Sequence, residues 1–119
     1  MIDQEMLKDF VDEVEEHIRE FENSGLALEK KPDDMTLVND LFRSAHSIKG
    51  AAGYMGFSRI ADLSHKMENV IDLIRERSIN PDKNLMNILF QCMDRIRKLS
   101  LIHISEPTRP LYISYAVFC

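Results

Sequence analysis

The chain has no tryptophan, and among its 119 residues glycine and proline occur only four times each and cysteine twice. So few helix breakers exclude a loop-rich or collagen-like polymer and leave room for long uninterrupted helices. Two cysteines, Cys92 and Cys119, in ordinary contexts exclude a disulfide framework. No stretch of about 18 apolar residues is present, so no segment reads as a membrane span. Asp3, Glu5 and Asp9 stand where a signal peptide would carry basic and then apolar residues, so the expected location is cytoplasmic. A basic cluster is missing too. Fifteen Lys and Arg face 20 Asp and Glu, a net charge of -5, which argues against nucleic acid as a partner.

What is present is an apolar fraction of 45% and a charged fraction of 29%, rich in Leu, Ile, Met, Glu, Asp, Lys and Arg. That balance favours helix over strand and suits one domain of about 100 residues around a single core.

The last 21 residues break the pattern: residues 99–119 have almost no charge, two prolines, and neither of the periodicities found upstream. Residues 99–109 resemble the translation of a transposon-derived sequencing-library adapter, and residues 113–119 the flow-cell primer that follows it. Pro110, Leu111 and Tyr112 would cover the variable index between them. The expectation is therefore a domain over residues 1–98, cut at about Lys98, followed by a non-native tail that is disordered and in which His103 and Cys119 carry no function. Removing the tail takes away one acid, Glu106, and one base, Arg109, so the net charge does not change.

Within residues 1–98, apolar spacing predicts four helices. The first covers about 3–30, with Asp3 as N-cap, a stripe of Leu7, Phe10, Val11, Val14, Ile18 and Phe21, and a possible interruption at Gly25. Lys31, Pro32, Asp33 and Asp34 form a connector. The second helix carries Leu37, Leu41, Ala45, Ile48 and Ala52 and ends at Gly53 and Gly56. The third covers 57–77, with Ile60, Leu63, Met67, Val70, Ile71 and Ile74; a turn over 78–82 contains Asn80, Pro81 and Asp82. The fourth holds Leu85, Ile88, Leu89, Cys92 and Ile96. Short connections between amphipathic helices predict an all-α, antiparallel up-and-down four-helix bundle. Met67 and the other methionines are expected to fill gaps in its core.

The chemistry gathers on the second and third helices. With Leu41 at zero and about 100° per residue, the apolar stripe stays within about 40°, while His46 falls near 140° and Lys49 near 80°. His46 therefore belongs on the flank or outside of the bundle, with an ammonium one turn along. Gly50 and Gly53, at about 180° and 120°, bracket the same surface; they leave room for an approaching partner or allow close helix packing. On the third helix, with Ile60 at zero, His65 falls near 140°, Glu68 near 80° and Asp72 near 120°. If the two helices are antiparallel neighbours, His46 and Lys49 face His65 and Glu68 across a groove. A carboxylate accepting from Nδ1–H would fix the tautomer that leaves Nε2 free as nucleophile and would support positive charge on the ring. Glu68 is then an orienter and not a base, and Lys49 meets incoming phosphoryl oxygens as a compact charge.

The run His46-Ser47-Ile48-Lys49-Gly50-Ala51-Ala52-Gly53, with Gly56-Phe57 and then His65-Lys66-Met67-Glu68-Asn69, resembles the histidine phosphotransfer (HPt) domain at the N-terminus of CheA-type chemotaxis kinases. Leu41-Phe42-Arg43-Ser44-Ala45 also fits that family. The resemblance implies that His46 is phosphorylated on Nε2, that Glu68 bonds the Nδ1 side, that Lys49 and His65 support the site, and that Gly50 keeps it open. It further implies two partners: an ATP-binding kinase domain acting from the other subunit of a dimer, and a receiver protein of the CheY or CheB type. ATP and Mg²⁺ would belong to the kinase domain. The fragment itself is expected to need no cofactor and to be no enzyme, its parent being a histidine protein kinase.

Relatives in motility or hybrid phosphorelays share the motif, so a phosphorelay outside chemotaxis is one alternative. A metal-binding bundle using His46, His65, Glu68 and Asp72 is another, against which the order of the residues and their place off the core both argue. A purely structural bundle is the third. Asp72 and His17 have solvated faces as their simplest reading, and Cys92 that of a small buried hydrophobe.

Overall fold

The computed structural model describes the backbone of residues 3–105 and the side chains through residue 102. Four helices make up the fold: α1 (Gln4–Lys30), α2 (Met35–Met55), α3 (Ser58–Arg75) and α4 (Lys83–Ser105). Aspartates open three of them. Asp3 accepts from the Met6 N–H at 2.8 Å, Asp34 from Thr36 at 3.0 Å and Asp82 from Leu85 at 2.8 Å, each satisfying a donor the helix cannot. Gly56 closes α2 in the left-handed region at φ 78°, where a Cβ would be strained, and the Phe57 N–H returns to the Ala52 carbonyl at 2.9 Å.

Each helix packs on two neighbours: α1 on α2 and α4, and α3 on α2 and α4. With connectors this short, consecutive helices reverse direction, and the result is the expected antiparallel four-helix bundle. Its centre is filled by Ile18, Phe21, Leu28, Leu41, Ile48, Ile60, Ile71, Ile74, Met86, Leu89 and Met93, all essentially free of solvent contact. Phe10 meets Phe57 edge to face at 5.0 Å, which ties α1 to the corner between α2 and α3. No helix among the described residues is long and apolar enough to cross a membrane.

Several expectations need correction. Gly25 does not interrupt α1. It is buried, and a Cβ there would lie 2.7 Å from the ring of Phe90, so its missing side chain lets α4 close on α1. Gly53 lies inside α2, and Gly56 alone ends that helix. α3 starts one residue late and stops at Arg75, because Arg77 turns the chain at φ 62°.

The apolar stripe of α4 is also rotated from the predicted one. Met86, Leu89, Met93, Ile96 and Leu99 form the buried face, while Leu85 and Cys92 are half-buried and Ile88 is 56% exposed. Methionines treated as gap fillers are the stripe itself, since 86, 89, 93 and 96 keep the 3–4 spacing of one helix face. The helical pattern does not stop at Lys98 either: α4 runs to Ser105, with Leu99 and Ser100 buried. Leu99 falls three residues after Ile96, so whatever its origin it extends the stripe by one more place. The expected disorder of the remaining tail, and Cys119 with it, lies outside the described residues, as does the side chain of His103.

Candidate functional site

The site is assembled where α2 and α3 pack side by side. α2 presents His46, Lys49 and Gly50; α3 presents His65 and Glu68. Glu68 is the hub. The sequence placed it off the core, yet it is only 5% exposed, because α2 and its two polar side chains cover that flank of α3. Its two oxygens have separate partners: Oε2 lies 2.7 Å from His46 Nδ1, and Oε1 accepts from Lys49 Nζ at 2.8 Å. Burial alone would push the Glu68 carboxyl up. The hydrogen bonds from Lys49 and His46, with their positive charge, outweigh it and hold the group below its ordinary value.

An ionised carboxylate only accepts, so the short contact to Glu68 requires the proton of a neutral His46 ring to sit on Nδ1. Nε2 then keeps its lone pair, on a side chain that is 61% exposed. Lys49, one helical turn along, is more covered, at 29%. A Cβ built at Gly50 or Gly53 meets nothing within 4 Å, so these glycines serve no close helix packing and leave open surface beside the imidazole.

His65 is part of the cluster, but more loosely than expected. Its Nδ1 stands 3.8 Å from Glu68 Oε1, too far for a hydrogen bond, and its side chain is exposed. Asp72 does not join the site and instead pairs with Arg75 at 3.4 Å. His17 pairs along α1 with Glu20 at 3.1 Å and Glu13 at 3.6 Å. Burial pushes the half-buried Cys92 thiol up, which leaves it inert. Among the described residues no group of three or more His, Cys, Asp or Glu side chains is placed to hold a metal. Surface grooves between α1 and α2 and at the connector end of the bundle are lined by none of His46, Lys49 and Glu68.

One neighbour of His46, and a residue that packs on it, were missed. The Phe42 ring lies nearly parallel to the imidazole, 10° between planes and 6.0 Å between centroids, and the Arg75 guanidinium sits 4.3 Å from the centre of the Phe42 ring. The i, i+4 relation of Phe42 to His46 was a legible signal; Arg75 comes from another helix and gave none.

Among the described residues, an outward imidazole wired to a buried carboxylate and flanked by an ammonium thus stands on open surface and not in a groove. The chain belongs to the Hpt domain family, whose model matches residues 5–99. It is 39% identical over 94 residues to Chemotaxis protein CheA of Listeria monocytogenes, a match that covers 79% of this chain and 15% of that protein. Among solved structures it is similar to the CheA phosphotransferase domain from Thermotoga maritima, with TM-score 0.81, 39% identity, and 84% and 95% of the two chains covered. A third likeness is to the phosphorylated P1 domain of CheA3 in complex with CheY6 from R. sphaeroides, with TM-score 0.79, 26% identity, and coverage of 88% and 82%.

Proposed function

We propose that this chain is the phosphocarrier segment of a chemotaxis histidine kinase, receiving a phosphoryl group on His46 Nε2 from an ATP-dependent kinase domain and passing it to an aspartate of a CheY- or CheB-type receiver. The observation that carries this reading is the 2.7 Å contact between His46 Nδ1 and the buried Glu68 carboxylate, which in the neutral ring puts the proton on Nδ1 and leaves the Nε2 lone pair on an exposed side chain.

The step needs no general base. Nε2 attacks the γ-phosphorus of ATP as the bond to the ADP oxygen breaks, and the ring becomes positively charged with its Nδ1 proton in place. Glu68 supports that charge through the bond it already makes, and Lys49 supplies an ammonium for the phosphoryl oxygens. In the return step a receiver carboxylate oxygen attacks phosphorus, the Nε2–P bond breaks, and its electron pair returns to the ring. ATP and Mg²⁺ act in the donor domain, and the carrier contributes no cofactor of its own. The parent would work in the cytoplasm, where ATP and receivers are available.

The test is incubation of the chain with a CheA-type kinase domain and ATP. Acid-labile phosphate should appear on His46 and should be absent from His46→Gln, whose fold is unchanged because the side chain is exposed. Undiminished label on the variant would reject the assignment.

A further inference from the structure

One hydrogen bond fixes an atom, not a plane. Two torsions set the imidazole, and the single Nδ1···Oε2 distance leaves a correlated movement of both, so Nε2 can still shift. The structure holds a second constraint. Phe42, one turn before His46 on α2, presents its ring nearly parallel to the imidazole, with the centroids within the usual range for offset aromatic pairs. Phe42 is half-buried and packs against the core, which limits its own motion. Arg75, from α3, lies over the Phe42 ring at 4.3 Å and is tethered by Asp72 at 3.4 Å. The guanidinium thus presses from a second helix on the ring that stacks on the imidazole.

We propose that Phe42, clamped by Arg75, is a positioning element for phosphoryl transfer, fixing the plane of the His46 imidazole so that Nε2 points steadily outward. The inference rests on the phosphocarrier reading and adds to it two residues outside the hydrogen bonds that join His46, Lys49 and Glu68.

The test uses phosphoramidate, a donor small enough to need no protein docking. The Nε2–P bond forms as the donor's P–N bond breaks and ammonia leaves. Labelling rates and Tm are measured for the full chain and for Phe42→Trp, Phe42→Leu, Arg75→Gln and the Phe42→Leu/Arg75→Gln double variant. Phe42→Leu keeps apolar bulk but removes the flat face and should slow labelling about tenfold, the scale of a lost orientation constraint. Phe42→Trp should restore most of the rate. Arg75→Gln should slow labelling about threefold, and should add nothing in the Phe42→Leu background.

Wild-type labelling in Phe42→Leu, or equal slowing by Leu and Trp, overturns the proposal while leaving the phosphocarrier reading intact. Further slowing by Arg75→Gln in the double variant also overturns it, since Arg75 would then act apart from the ring. If Phe42→Leu loses its fold, Arg75→Gln decides alone, and a wild-type rate there refutes the clamp. An unmodified chain that takes no label from phosphoramidate or from kinase and ATP sinks the phosphocarrier reading and this inference together.

Discussion

Two clusters of charge bridge helices in this bundle, and they are opposite in design. On the α2–α3 side the hub is an acid, Glu68, almost fully buried and bonded to His46 and Lys49. On the α1–α4 side the hub is a base, Arg97, which reaches both oxygens of Glu15 at 3.1 and 3.2 Å and those of Glu22 at 3.4 to 3.5 Å. Glu15, first, and Glu22 keep that guanidinium yet more firmly protonated, against the opposing effect of burial. The groups at the Arg97 hub pair with one another across the two helices. At the Glu68 hub the carboxylate is satisfied, but one partner is a ring with a second, outward nitrogen. A staple and a reactive site differ here by a single exposed lone pair.

The sharpest way to break this comparison is Glu68→Gln. The amide keeps the volume but can turn its NH2 toward Nδ1, favouring the tautomer with the proton on Nε2. Labelling should fall by about 10²-fold, within the range for losing a catalytic proton arrangement, while the bundle remains folded. Phosphoramidate kinetics with a parallel thermal melt checks both halves, and an unchanged rate would remove the tautomer argument.

Arg97→Met should do the reverse. The methionine keeps the apolar stem but removes the bridge between α1 and α4, which is partly exposed and therefore worth about 1 kcal/mol. Tm should fall by about 4–8 °C for a domain of this size, with the labelling rate of the folded protein unchanged. A slowed rate at full folding would mean that the two sides are coupled.

Both clusters were unequally legible in the sequence. His46 and Lys49, and His65 and Glu68, are i, i+3 pairs on neighbouring helices, and their angular positions place them on facing flanks. What spacing could not show was the burial of Glu68, because a carboxylate at about 80° from Ile60 lies at the margin of the core and only the lie of α2 decides whether it is covered. The Arg97 staple was invisible, since Glu15, Glu22 and Arg97 look like ordinary charges on solvated faces until α1 and α4 are set side by side. The fold itself was readable from period and connector length. Its errors fell where side-chain type misled: Met86 and Met93 were passed over for Leu85 and Ile88, and Gly25 was read for its backbone freedom when its use is the space it leaves for Phe90.

Glycine sharpens the same contrast at a smaller scale. Gly50→Ala puts a methyl group into open surface and should stabilise α2 by up to about 1 kcal/mol, while slowing transfer to a receiver and leaving phosphoramidate labelling untouched. Gly25→Ala carries the same gain in helix propensity but drives a Cβ against Phe90, so its Tm should not exceed that of the unmodified chain. Melting curves of the two variants side by side test this. A Gly25→Ala protein as stabilised as Gly50→Ala would show that the Phe90 contact gives way freely.

The smallest expected effect is a slope in pH. The Glu68 carboxyl is held below its ordinary value of 4.5 in the folded chain, so below that pH the unfolded chain binds the proton more readily. Stability from this carboxylate is therefore fully present above about pH 4.5 and lost as the pH falls through the lowered folded-state value. Glu68→Gln has no such proton to bind. In urea unfolding at a series of pH values, the gap between the unmodified chain and the variant should narrow as the pH falls below about 4.5. A gap that instead widened below that pH would mean that burial outweighs the bonds to Lys49 and His46 and raises the carboxyl.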